Sequence, residues 1–456
     1  MSYIDVGSVC SGIEAASVAL EDKGFKFQWF SEIENFPSQV LQNKYPGVPN
    51  LGDMCEIPDK LLNNEINAPS MICGGTPCQA FSLAGWKKGL EDDRGNLTLK
   101  FVEIIESNDL IRKQKNQSQT IVFWENVEGV LKDKTNAFGS FLASLAGFDE
   151  EIKIKKWPQA GVIHGVKRNI AWRVIDAKYF GLPHQRRRLY VLAGGTNYYP
   201  EDILFEKGSA ANLNAYEGKL KFKKDGQDIE IFREYTDCLY SAYGTKWNGN
   251  AAAYNGSLFV SQNGRLRRLT PLECERLMGF PDNYTDLPKA RPTNRYKAIG
   301  NSWAVPVIEW IGNRIASNVA EHLTISNSDF SLLSRQIVID KNKIVFDLSN
   351  GPIFLENNTQ INTSEVPVNI KLGNMEEIID IHAPENFYIS PAGCKGILRR
   401  KQERNLNINP RLENVLNNIS SEWSDEKIEK ISRVQKRGRF SEPLKSTKDS
   451  ELQLTF

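Results

Sequence analysis

The chain has 456 residues, 40% hydrophobic and 25% charged, and its 57 Lys and Arg against 56 Asp and Glu leave a formal net charge of +1. That length is enough for two or three domains with ordinary cores. It excludes a globally basic nucleic-acid binder, so any positive field has to be local. No apolar run is long enough for a bilayer, and the start MSYIDVGSVC lacks the layout of a signal peptide. The expectation is a cytoplasmic protein with no membrane association. Seven scattered cysteines without a Cys-x-x-Cys pair, and only four histidines, argue against zinc, any other metal site or a disulfide framework.

In chain order, residues 3–10 read as a strand, and SGIEAASVALEDKG as a glycine-entered helix ended by Gly24. A second strand covers 27–31, followed by a helix to about Tyr45. Residues 70–73 form a short apolar strand, 97–111 a helix, TIVFWENV a buried strand, and LYVLAGG at 189–195 another. This β–α alternation predicts an α/β fold with a parallel-rich sheet covered on both faces, binding its ligands beyond the C-terminal strand ends. From 196 to 265 the chain turns polar and rich in Gly and Asn, as in KKDGQD and GTKWNGNAAAYNGS, and reads as a small inserted domain. Helical pattern returns in LTPLECERLMGF and AVPVIEWIGNRIASNVAEHL. The expected division is 1–195 and 266–324 for the core, 196–265 for the insertion, and 325–456 for a C-terminal appendage. Within the appendage, SPAGCKGILRRKQERNLNINPRLENVL reads as a capped helix pair with a basic face, either solvated or in contact with DNA or a partner. Other basic runs are RRR at 186–188, RLRR at 265–268 and KRGR at 436–439.

Several motifs fall at predicted strand ends. In CSGIEAA, Gly12 permits a tight turn and the helix start offers free N–H groups, although a plain strand–helix turn fits as well. Glu32 follows the second strand and Asp53 the next helix; singly each reads as a loop charge, but in this order they suit a nucleoside. Pro77-Cys78-Gln79 sits among glycines that let backbone and ligand approach closely. Alone, Cys78 fits a small buried thiol as well as a nucleophile. The other cysteines read as core filler. Glu125 and Asn126 end the strand TIVF at the same sheet edge; a carboxyl there is either a strand-end polar group or a proton donor. In PHQRRR, Arg186 and Arg188 share one face of an extended segment, as a solvated run or as a grip on a phosphate or a pyrimidine carbonyl.

The ordered set VCSGIEA, Glu32, GDM, GGTPCQAFS, RGNL, ENV, PHQRRR, RRLTPLECERLMGFPD and AIGNS resembles the DNA cytosine-5 methyltransferase family of bacteria and phages, over residues 3 to about 320. The resemblance implies a Rossmann-like catalytic core with an inserted target-recognition domain. It implies Cys78 as the nucleophile at cytosine C6, Glu125 at N3 and the exocyclic amine, Arg188 at the carbonyl with Arg186 beside it, and Pro77, Gln79 and Asn126 around the base. S-adenosylmethionine, leaving as S-adenosylhomocysteine, would lie against Cys10, Gly12, Ile13, Glu32, Ile33, Asp53, Met54, Leu97, Asn301 and Ser302. Two departures stand out. Cys10 and Glu14 replace the family's frequent Phe and Gly, and His184 replaces the glutamine opening the arginine motif. Double-stranded DNA is the implied partner, with base flipping, a monomeric enzyme, and a cognate restriction endonuclease encoded separately or a solitary phage-type role. The alternatives are a methyltransferase acting on RNA cytosine and an inactive DNA-binding homologue. A thiol oxidoreductase would need a resolving cysteine near Cys78.

Overall fold

The computed structural model describes residues 3–76, 97–212, 218–241, 243, 254–317, 335–340, 343–349, 352–355, 358–421 and 424. The expected site residues Pro77, Cys78 and Gln79 lie outside this set.

Seven strands carry the main sheet: β1 (Ile4–Val9), β2 (Phe25–Trp29), β3 (Met71–Gly74), β4 (Ile121–Val127), β5 (Ala160–His164), β6 (Arg168–Asp176) and β7 (Arg187–Gly195). The spatial order is β5-β6-β7-β4-β3-β1-β2, and strands Lys343–Asp347 and Arg335–Asp340 continue it beyond β5. All four residues of β3 and all nine of β6 are buried, so both faces of the sheet are covered. Helices supply the cover. Ala15–Leu20 packs on Val305–Ala316, and Ile57–Leu62 packs on Leu97–Gln114, which in turn meets Ala137–Ala146. The latter set closes over an aromatic cluster in which Trp124 lies 4.6 Å from Phe141 and Phe138 lies 4.9 Å from Trp157, ring centre to ring centre. Removing one such ring to alanine costs about 3–5 kcal/mol.

The sheet is α/β, but parallel only in part. β2, β1, β3 and β4 run parallel, each step crossing over through helix-bearing chain. β4–β7, β7–β6 and β6–β5 are antiparallel. The reason lies in the connections. Only three residues join β5 to β6, where Gly165 N–H donates to Arg168 O. The ten residues between β6 and β7 hold only the short 3-10 turn Ala177–Tyr179. Neither link can carry a crossover helix. The 160–176 strands were not apparent from periodicity, because a strand buried on both faces does not alternate.

The chain divides into two compact units that differ from the expected boundaries at 196 and 325. One comprises Met1–Tyr216, Asp237–Thr245 and Pro271–Ile378, and the other Glu217–Thr236, Lys246–Thr270 and Ile379–Phe456. The second holds an antiparallel sheet ordered Arg265–Arg268, Phe259–Gln262, Gln227–Ile231, Lys221–Lys224, with helices Pro391–Arg404 and Pro410–Ser420. A small sheet with one apolar face needs a covering layer. Here Phe232, Tyr254, Phe259 and Leu266 share a core with Cys394, Ile397, Leu398, Ile408, Leu412 and Leu416. The C-terminal segment is therefore not one appendage: its first part extends the main sheet and its last part belongs to the inserted sheet's core. Among the described residues, no helix is long and apolar enough to cross a membrane.

Candidate active site

The C-terminal ends of the parallel strands open into a cavity of about 660 Å³ within the first unit. Its wall includes Cys10, Gly12, Glu32, Ile33, Asp53, Met54, Leu97, Glu125, Asn126, Arg186, Arg188 and Asn301. Most residues singled out in the sequence thus meet in one cleft, although the chain distance between them reaches almost three hundred residues.

At one end the turn after β1 takes three left-handed residues, Cys10, Gly12 and Glu14 (φ 49°, 56° and 59°). The conformation is easy for glycine and costly elsewhere, which explains Gly12. Its N–H donates to Glu32 Oε2 at 2.8 Å, and Glu34 N–H donates to Oε1 at 2.7 Å. Glu32 is thereby fixed by backbone, with lone pairs left for a diol. Asp53 caps the next short helix by accepting from Cys55 N–H at 2.9 Å through Oδ1. Ile33 is 74% exposed at the rim, an apolar side chain that a flat ring would cover. Met54 is buried and accepts a 3.7 Å contact from the Cys10 thiol. Burial first, then Glu32, Cys55 and Asp53, push that thiol up to about 12, so Cys10 stays neutral. Ile13 is fully buried and its carbonyl accepts from Tyr284 at 2.8 Å, so it shapes the turn from behind. Leu97 packs on the main core, Asn301 is exposed at the helix end, and Ser302 is buried. Two acids aimed by backbone N–H groups, beside an apolar face, fit an adenosine-bearing cofactor.

Glu14 is 1% exposed and accepts from Ser17 N–H (3.1 Å), Ser17 Oγ (2.7 Å) and Ser8 Oγ. Burial holds its carboxyl up at about 7, against the pull of these donors. Here a glutamate that holds the turn by its side chain stands where the family's glycine would hold it by backbone freedom.

At the other end β4 delivers Glu125. Its carboxyl is raised by burial, against Arg188 and Arg186, which pull it down. Arg188 Nε forms an ion pair with Glu125 Oε1 at 3.1 Å, yet that oxygen has no well-aligned hydrogen-bond donor among the described residues. Trp303 supplies a side-chain hydrogen bond to the same carboxyl. A buried acceptor without a donor is costly unless a ligand supplies one.

Arg186 and Arg188 enter from the start of β7. Arg186 is 2% exposed and its two terminal nitrogens donate to protein, to Leu239 O and Gly300 O at 3.3 Å each, Ser302 O, and Cys238 Sγ at 3.4 Å, while its Nε has no partner among the described residues. It ties the 301–302 segment to β7. Arg188 donates to its neighbour's carbonyl at 2.8 Å and to Cys238 Sγ at 3.4 Å, and remains on the cavity wall. Cys238, expected as core filler, is half-buried against both guanidiniums. Burial pushes its thiol up, but Arg186 and Arg188 more than offset this and leave it below the ordinary value. Nothing in the local sequence DCLY signalled that contact, because its partners are some fifty residues away.

His184 is fully buried. Its Nε2 accepts from Leu239 N–H at 3.0 Å, so Nδ1 carries the proton toward Leu277 O at 3.2 Å. Burial, then the charges of Arg186 and Arg188, hold it down at about 3, which makes it a neutral strut. Asn126 Nδ2 donates to Thr76 O at 2.9 Å, and Trp124 Nε1 donates to Thr76 Oγ1 at 3.0 Å. Both anchor the residue directly before Pro77-Cys78.

A doubly covered α/β sheet thus carries two acids at one end of its cleft and a Glu–Arg pair at the other. The description C-5 cytosine-specific DNA methylase matches residues 4–317, and the chain belongs to that family. Over 466 aligned positions it is 34% identical to the DNA N-6-adenine-methyltransferase of Escherichia phage P1, covering 70% of this chain and 62% of that protein. The chain thus spans less than two thirds of that relative. It is 25% identical over 340 positions to the Type II methyltransferase M.HhaI of Haemophilus parahaemolyticus, covering 68% of this chain and 93% of that one. Among solved structures, the Entamoeba histolytica methyltransferase EhMeth aligns with a TM-score of 0.46 and 15% identity, over 70% of this chain and all of that one.

Proposed function

We propose that this chain methylates C5 of a cytosine turned out of duplex DNA, with Cys78 as nucleophile. The observation that carries the reading is Glu125: a buried carboxyl, held toward its protonated form, with one oxygen lacking a well-aligned donor and Arg188 at its side. A cytosine ring matches this pair. Protonated Glu125 donates to N3, its Oε1, beside Arg188 but without an aligned donor, accepts from the exocyclic amine, and Arg188 donates to the carbonyl. Loading N3 with a proton draws electron density from the ring and makes C6 electrophilic. The Cys78 thiolate adds there, and the displaced pair makes C5 nucleophilic. S-adenosylmethionine supplies the methyl group as a sulfonium electrophile and leaves as S-adenosylhomocysteine. Loss of the C5 proton to water then returns the electron pair that expels the thiolate. Glu32 and Asp53 would hold the ribose diol and the adenine amine, Gly12 and Ile13 the turn beside them, and Ile33 the ring face. Arg186, whose donors face backbone carbonyls, positions Ser302 and Arg188. A separately encoded endonuclease reading the same DNA site would fit the Type II label of the M.HhaI relative.

The phage P1 relative's name raises N6-adenine methylation as a second reading. An exocyclic amine attacks a methyl group without a covalent thiol adduct, so one experiment separates the two. Wild type and Cys78→Ser are incubated with labelled cofactor and unmodified duplex DNA, and the product nucleosides are identified. The expected outcome is 5-methylcytosine from wild type and a loss of about 10⁴-fold or more in the variant. N6-methyladenine, or full activity without the thiol, would overturn the proposal.

A further inference from the structure

The family match ends at residue 317, and the helix Pro391–Arg404 lies beyond it. This helix is nevertheless built into the unit that holds most of the inserted sheet. Ile389 N–H donates to Leu266 O at 2.8 Å, and Asn409 N–H to Tyr254 O at 2.8 Å. The Asn409 amide also donates to Phe232 O at 3.0 Å and Asn255 O at 3.2 Å. Arg411 holds Glu230 of the sheet at 2.9 Å. Helices and strands therefore share one apolar core and one set of backbone ties.

The charge of this unit sets it apart. Its described residues carry fourteen Lys and Arg against eight Asp and Glu, a net of +6 in a chain whose total is +1. Within the helix, Lys395 and Arg399 stand one turn apart, as do Arg400 and Arg404, with Glu403 the lone acid. Like charges at that spacing oppose helix formation, so the pattern breaks a local rule without an internal gain. Glu403 reaches Arg399 Nε only at 3.4 Å, and Lys401 pairs with Glu413. Arg399 Nε and Nη2 and Arg400 Nε are buried with no hydrogen-bond partner among the described residues. Arg400 is bonded through its side chain to Tyr254, so the cationic groups of the helix that can meet an outside acceptor are those of Lys395, Arg399 and Arg404. Beside them, a Cβ added at Gly396 would meet only Arg400 Nη1 at 3.9 Å, so the backbone there is bare and open to close approach.

Resting on the cytosine-methyltransferase reading, we infer that the helix Pro391–Arg404 binds the phosphate backbone of duplex DNA through Lys395, Arg399 and Arg404, with Arg400 adding to the local positive field. Duplex DNA is the occupant that the excess positive charge of the unit favours, and planar guanidinium forks match phosphate oxygens. Such contacts set register and affinity rather than sequence, which leaves base reading to the inserted strands and loops.

The test uses the full chain with Lys395, Arg399 and Arg404 all changed to Gln, beside a charge-preserving R399K/R404K form. Binding to a duplex and to a single-stranded RNA of equal length is followed across salt concentrations, together with cofactor binding and thermal unfolding. The triple variant should bind duplex about ten-fold weaker or worse, with the log–log salt slope reduced by about 2–3, while R399K/R404K stays near wild type and cofactor affinity is unchanged. An unchanged slope in a folded triple variant overturns the inference, and so does a loss confined to RNA. Should the triple variant unfold, R399Q alone must lower the slope by about one, and failure to do so is equally fatal. Wild-type methyl transfer, read separately, distinguishes this failure from failure of the cytosine reading: methylation with an unchanged slope sinks the helix alone.

Discussion

The two ends of the cleft solve different problems with the same residue types. At the cofactor end, carboxylates sit on loops, exposed or half-buried, and are aimed by backbone N–H groups: Glu32 by Gly12 and Glu34, Asp53 by Cys55. At the base end, buried Glu125 on β4 and buried Arg186 and half-buried Arg188 at the start of β7 lie close together, with displaced proton affinities. The first arrangement suits the proposed recognition of neutral hydroxyl and amine groups, for which a solvated acceptor in the right place is sufficient. The second holds charge in a dry setting, where each interaction is stronger and no solvent has to reorganise as the reacting ring gains electron density.

If that contrast is right, a base-end change costs far more turnover than a cofactor-end change. Glu125→Gln keeps the shape and removes the transferable proton. It should lower kcat by about 10²–10⁴-fold with little effect on cofactor affinity. Burial raises the Glu125 carboxyl, so its protonated form persists above the usual carboxylate range and is lost as pH rises through the raised value. Wild-type single-turnover rates should therefore fall on the alkaline side of that value, and the fall should vanish in the variant. An alkaline limb that survives in Glu125→Gln belongs to another group. By contrast, Asp53→Ala removes one acceptor and should weaken cofactor binding about ten-fold, the loss of one charge-assisted hydrogen bond, with kcat at saturation nearly unchanged. Calorimetric titration of the cofactor measures it. A large kcat effect there would mean the two ends are not separable.

The contrast also explains what could be read from sequence. Acids at strand ends are local features: TIVFW followed by Glu125, or QWFS followed by Glu32, places a carboxyl at the sheet edge from period and order alone. The parallel half of the sheet was legible for the same reason, because each strand there is followed by helical chain. The antiparallel half was not. β6 is buried at all nine positions and shows no alternation to detect. Contacts that depend on distant chain were also invisible, including the Cys238 thiol between two guanidiniums and Trp303 on the Glu125 carboxyl. The C-terminal helices read correctly as helices, but not as part of the inserted sheet's core, since their apolar stripe does not name its partner. Glu14 is intermediate. Its departure from the family glycine was plain, while its bonds to Ser8 and Ser17 required the folded turn.

The smallest expected effect on turnover tests whether the base end is rigid because its supports are neutral. His184 accepts from Leu239 N–H and donates toward Leu277 O, so it needs one protonated and one bare nitrogen. A second proton would remove the acceptor and place a cation beside Arg186 and Arg188, with Asp176 the acid that opposes it. The folded value of about 3 lies below the ordinary 6.5. The unfolded chain therefore takes up the proton first as pH falls. The stability His184 contributes is complete above about 6.5 and declines by about 1.4 kcal/mol per pH unit between there and about 3. His184→Gln keeps one donor and one acceptor on a side chain that does not titrate. At neutral pH its kcat should lie within about three-fold of wild type, since no charge near the reacting ring changes. Its denaturant midpoint should lose the His184 share of the decline between pH 6.5 and 4.5, a flattening of about 1.4 kcal/mol per unit relative to wild type. If the two proteins decline in parallel, the imidazole is not held neutral, and the view of the base end as a dry, pre-set charge arrangement loses its main support.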